Sequence, residues 1–247
     1  MKDNVEVSNL TIDYDDIITI VHDLQAPLSG VKWTLAMLLN GDAGPLTRAQ
    51  IDLAKNAVRG NERTLRLVRS LLAVSRIDAG NNSLNRVEYP ILTIINDVVD
   101  ELSVFAREKQ IKIQLRGTEG ESPLLYIDNE KIRTVLENLV ENALKYTQQG
   151  GTVTVGVRTE NNECVVSVED SGPGISKEDS GKLFQKFFRG SDKTKTATRG
   201  SGLGLYLAKR LIEAHGGRIW SADKKRDLGL ADSGAVFAFM IPLSVGE

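Results

Sequence analysis

The chain is short of the residues that build several common kinds of site. Of its 247 residues, one is cysteine and two are histidine. A single cysteine, Cys164, excludes an internal disulfide framework and a cysteine-rich zinc site. Two histidines, His22 and His215, make zinc chemistry improbable. Neither sign of charge dominates: 31 Lys and Arg stand against 33 Asp and Glu, so the net charge of −2 offers no general attraction to nucleic acid or to an anionic bilayer. No apolar run approaches the roughly 20 residues that span a membrane. The opening MKDNVEVSNL lacks the charged and apolar sections of a signal peptide. The expectation is a cytoplasmic chain with no nucleic-acid partner and no membrane segment of its own, either free-standing or part of a larger, membrane-bound protein. Internal repeats and low-complexity stretches are absent as well.

What is present is patterned apolar sequence, 41% of the chain. Over residues 13–40, Ile17, Val21, Leu24, Leu28, Val31, Leu35 and Leu38 recur at alternating steps of four and three, the seam of a bundle helix. Asp13, Asp15 and Asp16 suit the positive end of its dipole, and the pattern runs through Pro27, where a local bend is expected. GDAGPLT breaks the pattern, and a second run follows with Ile51, Ala54, Val58, Leu65, Val68 and Leu72, Asn61 being a polar exception, to an end near Asp78. Two antiparallel helices result. One pair buries too little apolar surface to offset the entropy of ordering it, so a second copy completing a four-helix bundle is expected.

Beyond a linker at residues 81–86, residues 92–109 have helical spacing. Ile111, Ile113 and Leu115 alternate as a strand, residues 129–148 read as a helix, and 153–157 and 164–168 as strands joined by the turn ENNE. Residues 203–215 are helical, ended by Gly216 and Gly217, and strands follow around Ile219 and over 235–241. The expected fold for residues 87–247 is an α+β sandwich, a mixed sheet with helices on one face. It follows an N-terminal linker (1–12) and a helical hairpin (13–80) that forms a dimeric bundle.

His22 directly follows seam position Val21 and so falls on the outer side of its helix, beside Asp23. A carboxylate accepting from one ring nitrogen would fix the tautomer that leaves the other free to attack phosphorus. The run H-D-L-Q-A-P-L resembles the phosphoacceptor box of sensor histidine kinases, H-[ED]-L-[RK]-T-P-L, with Gln25 and Ala26 as departures. In that family the residue at the Ala26 position is associated with positioning water for hydrolysis of the phosphorylated partner. A methyl group cannot do this, so weak phosphatase activity is expected.

Three later motifs resemble the ATP-binding domain shared by histidine kinases, type II topoisomerases, Hsp90-like chaperones and mismatch-repair ATPases. N-L-V-E-N-A-L-K-Y puts Asn138 and Asn142 four apart on one helix face, where their oxygens can ligate Mg²⁺. Lys145 is then available to phosphate, and the resemblance implies that Tyr146 packs beside the nucleotide. D-S-G-P-G-I supplies Asp170, which the resemblance makes the acceptor for an adenine amino group, while Gly172 and Gly174 permit close approach of backbone to base. R-G-S-G-L-G-L leads a helix with Arg199, Gly200, Ser201, Gly202, Leu203 and Gly204, a phosphate-binding helix N-terminus. Between them, Phe184, Phe187 and Phe188 read mainly as core aromatics. Arg189, Lys193, Lys195 and Arg199 stud a lid, as phosphate ligands or as solvated charges. P-loop, H-R-D and D-F-G strings are absent, and His215 reads as structural.

The resemblance implies a protein-histidine kinase using ATP and Mg²⁺, with a homodimeric partner copy and the receiver domain of a separate response regulator. Two alternatives are an ATP-driven conformational clamp, against which Asn138 argues because such hydrolases use a carboxylate there, and a pseudokinase that binds a regulator without turnover.

Overall fold

The computed structural model describes residues 14–80, 83–117, 122–190 and 201–243, without the side chains of residues 14–18, 20 and 22. The N-terminal linker, Asp13, Lys193, Lys195, Arg199 and Gly200 lie outside these residues. The chain divides into two compact units, residues 1–81 and 82–247.

The first unit is a helical hairpin, α1 (Tyr14–Asn40) and α2 (Arg48–Asp78). Its connection is built from local chemistry. Gly41 adopts φ 88°, which lets the amide of Asp42 reach back to the Met37 carbonyl and that of Gly41 to Leu38, closing α1 with a left-handed glycine cap. Thr47 opens α2 with a capping box: its hydroxyl accepts from the amide of Gln50 at 3.4 Å, and the Gln50 side chain accepts from the amide of Thr47 at 2.8 Å. Ala54, Asn61, Leu65 and Val68 are buried on the seam of α2. Asn61 earns its buried place by donating to the Leu28 carbonyl on α1 at 2.8 Å. Toward the other side, Leu24 and Val31 of the α1 seam remain 45% and 47% exposed.

The second unit is a mixed five-stranded sheet in the order β2-β4-β5-β7-β6, with β2 (Lys112–Arg116), β4 (Thr152–Glu160), β5 (Glu163–Asp170), β6 (Arg218–Asp223) and β7 (Ala235–Pro242). Only β2 and β4 run parallel. A layer of three helices, α3 (Ile91–Glu108), α4 (Asn129–Tyr146) and α5 (Gly204–Ala214), packs on it. Val155, Val168 and Phe237 lie side by side in register, as do Val157, Val166 and Phe239, and these alternate residues fill the core beneath the helices. The turn ENNE takes Asn161 and Asn162 to φ 50° and 63°, the backbone that tightly joins β4 to β5.

Two features differ from expectation. A short antiparallel pair, β1 (Val87–Pro90) with β3 (Leu124–Ile127), has no counterpart in the sequence reading, because four residues are too few to show a period. The Phe-rich segment is not core: Phe187 is 60% exposed at φ 59°, and Phe184 and Phe188 are half-buried, Phe184 meeting Phe237 edge to face at 6.4 Å.

Candidate functional site

The site is assembled where α4, α5 and the end of β5 converge. Asn138 and Asn142 are both half-buried on α4. The Nδ2 of Asn138 donates to the Thr134 carbonyl at 2.8 Å, so Oδ1 is left as its acceptor. That oxygen faces the first residue of α5: a Cβ added to Gly204 would come within 2.5 Å of it. The glycine is therefore what allows the α5 N-terminus to close on the asparagine.

The α5 terminus itself has no side-chain cap, and the hydroxyl of Ser201 accepts from the amide of Leu203 at 3.2 Å. Free amides at the start of a helix attract anions. Gly202 stands at φ 71° with its Cα pressed on the Phe187 and Phe188 backbone, where a Cβ would lie 2.6 Å from the Phe187 carbonyl carbon. The glycine-rich turn and the Phe-rich segment thus support each other.

Asp170 closes β5 and is 3% exposed. Its Oδ1 accepts from the amides of Gly172 at 2.8 Å and Ala235 at 3.2 Å. Burial raises its pKa above the ordinary carboxylate value, the two amide bonds acting in the opposite direction. Gly172 and Gly174 are required by the protein's own packing: a Cβ on Gly172 would meet the Tyr146 carbonyl at 2.8 Å, and Gly174, at φ 87°, has the Asp223 carboxylate against it. Gly172 thereby brings the end of α4 against the loop that leaves β5.

The remaining residues are dispersed. Lys145 rests on its neighbour, its Nζ 3.2 Å from the Tyr146 hydroxyl and 4.6 Å from that ring's centre. Arg189 is exposed. His22 lies within α1 one residue after Val21, which is 1% exposed; the His22 side chain lies outside the described atoms. Asp23 and Ala26 are exposed on the same helix.

Among the described residues, no group of three or more His, Cys, Asp and Glu could hold a metal ion. Asn138 and Asn142, four residues apart on α4, carry carboxamide oxygens of the kind that could ligate Mg²⁺.

His215 is structural as expected. It is 5% exposed, its Nδ1 lies 2.7 Å from the Leu211 carbonyl and its Nε2 accepts from the Asp128 amide at 3.1 Å, which requires the proton on Nδ1. Burial lowers its pKa.

Sequence reasoning missed the residues packed against the loop that leaves β5. Gly234, at φ 141°, lies against the Asp170 backbone, and Asp223 against Gly174. Asp223 belongs to no recognisable string, and Gly234 is marked only by its place in the turn-like run Asp232–Ala235.

Comparison with known proteins agrees with this geometry. Residues 127–245 match the family of histidine kinase-, DNA gyrase B- and HSP90-like ATPases, and residues 18–80 match the His Kinase A (phospho-acceptor) domain. The catalytic domain of histidine kinase ThkA is 31% identical, with a TM-score of 0.55 over 64% of this chain and 96% of that one. Full-length ShkA in complex with AMPPNP is 26% identical, with a TM-score of 0.72 over 94% of this chain and 46% of that one. The sensor histidine kinase WalK of Bacillus subtilis (strain 168) is 33% identical over 210 residues, 83% of this chain and 33% of WalK. A phosphoacceptor hairpin followed by an ATPase sandwich is the two-component arrangement, and the chain belongs to the sensor histidine kinases. It spans 26% to 33% of the length of several curated relatives that it matches.

Proposed function

We propose that this chain transfers the γ-phosphoryl group of ATP to the imidazole of His22 and then to an aspartate on a response-regulator receiver domain. The observation that carries the reading is the contact of Gly204 with Asn138 Oδ1, because it sets a helix N-terminus without a side-chain cap beside the Asn138 carboxamide. The ShkA structure was solved with AMPPNP, which supports nucleotide binding by this fold.

In this reading Asp170 selects the base. Its Oδ1 is engaged by two amides, so Oδ2 accepts from the adenine amino group. The α5 N-terminus and its glycines, with Gly200, Ser201, Gly202 and Leu203, hold phosphate oxygens, and Lys145, Arg189 and Arg199 add charge around them. Tyr146 packs beside the nucleotide. Asn138 and Asn142 would hold Mg²⁺, which when bound neutralises phosphate charge.

Asp23 orients His22 so that an unprotonated ring nitrogen attacks the γ-phosphorus, forming the N–P bond as the bond to ADP breaks. Positioning and charge neutralisation are the main sources of rate. Phosphoimidazole is a labile donor, suited to passing the group to a carboxylate.

The hairpin of residues 13–80 serves as the dimerisation and phosphoacceptor domain and residues 87–247 as the ATP-binding domain, with 81–86 as linker. Exposed seam residues Leu24 and Val31 support a second copy of the hairpin as partner. No helix among the described residues is long and apolar enough to cross a membrane, and ATP as substrate suits the cytoplasm. Phosphatase activity is weak in this reading, since the methyl side chain of exposed Ala26 has no polar atom with which to hold water. Incubating phosphorylated regulator with the chain and ADP tests this: decay much faster than the regulator's own would contradict it. For the kinase reading, γ-labelled ATP should leave acid-labile phosphate on the parent and none on His22→Gln. Equal labelling of a folded His22→Gln would overturn it.

A further inference from the structure

The loop that follows Asp170 is gripped at its far end by two side chains outside every nucleotide motif. The amide of Ile175 donates to Asp223 Oδ2 at 2.9 Å, and the carbonyl of Ile175 accepts from Arg226 Nη1 at 2.7 Å. Both backbone groups of one residue are thus held by a carboxylate and a guanidinium, bonds of the stronger, charge-assisted kind. The grip is itself braced. Asp223 Oδ1 accepts from the Arg226 amide at 2.8 Å, while Asp227 accepts from Arg226 through both carboxylate oxygens and from the Asp223 amide, each at 2.8 Å.

At the near end Asp170 Oδ1 accepts from Gly172 and from Ala235, the first residue of β7. The facing ends of β6 and β7 and the connection between them therefore pin the loop at its entry through Ala235 and at its exit through Asp223 and Arg226. Gly174, between the two pins, lies on the Asp223 carboxylate.

We propose that Asp223 and Arg226 are positioning residues for adenine recognition, holding the loop of residues 170–175 in its binding shape before nucleotide arrives. The assignment rests on the proposed nucleotide reading. A loop fixed beforehand loses less conformational entropy on binding, so removal of the grip should weaken affinity for the base and leave the phosphate contacts alone.

The test compares the full chain with Asp223→Ala, Arg226→Ala and the milder Arg226→Lys, titrating each with ATP and with inorganic triphosphate. The clamp predicts that the Kd for ATP rises about tenfold or more on loss of these charge-assisted bonds. Triphosphate affinity should stay within twofold, and KM for ATP should rise with kcat at saturation retained. Exchange of the Ile175 amide should accelerate in Asp223→Ala. Equal weakening toward ATP and triphosphate, or unchanged ATP affinity in variants whose Ile175 amide exchanges faster, overturns the assignment. A parent without ATP affinity overturns the nucleotide reading itself, and the clamp with it, whereas a parent that binds beside unaffected variants overturns the clamp alone.

Discussion

Asp170 illustrates how little of a residue's chemistry lies in its own letter. Its carboxylate is buried, two amides hold one oxygen, and the other is the atom proposed for the base. Asp170→Asn keeps the shape, and its remaining oxygen can still accept from Gly172 and Ala235, but it turns a donor toward the adenine amino group. ATP affinity should fall at least about tenfold without loss of fold, as expected when a recognition acceptor is replaced; calorimetric titration beside circular dichroism checks both halves. His215 carries a different consequence. Its ordinary pKa is 6.5, and burial lowers it in the fold. At pH above about 6.5 the histidine is neutral in both states and its full contribution is present. As pH falls below that value the unfolded chain takes the proton first, and stability is lost progressively toward the lowered folded pKa. The urea midpoint should therefore drop between pH 7.5 and 5.5, and drop less in His215→Asn; equal slopes would contradict this.

At the scale of elements, the helices were legible because each carries several turns of one-sided apolar spacing, and α1, α2, α4 and α5 end within two residues of their expected limits. β4 and β5 were equally plain, since alternating valines flank a turn whose two asparagines accept positive φ. The β1–β3 pair was not, being shorter than the period needed to detect it. The site divides in the same way. Asn138, Asp170 and the glycines stand in strings with fixed internal spacing, whereas Asp223 and Arg226 act on Ile175 from 48 and 51 positions away, a separation that leaves no local pattern. The α4–α5 contact makes its own prediction. Gly204→Ala places a methyl 2.5 Å from Asn138 Oδ1, so either the carboxamide leaves its bond to the Thr134 carbonyl or the α5 N-terminus moves away. A cost of about 1–3 kcal/mol in stability is expected from such overpacking, with weakened ATP binding. Thermal unfolding and titration together measure it.

For the molecule as a whole, the seam of α1 exposes Leu24 and Val31 within one chain. Val31→Asp should convert a dimer to a monomer while leaving the second unit folded and able to bind ATP, since that unit has its own core; light scattering after size exclusion reads the mass. An unchanged dimer would locate the contact elsewhere. The amide of Asn61 bears on how the hairpin keeps its register. Apolar seams tolerate slippage by a turn, because one leucine replaces another. A slip of α1 along α2 would carry the Leu28 carbonyl out of reach and leave Asn61 unpaired in an apolar layer. Axial sliding is thereby penalised, and one buried amide fixes the register in which α1 lies along α2.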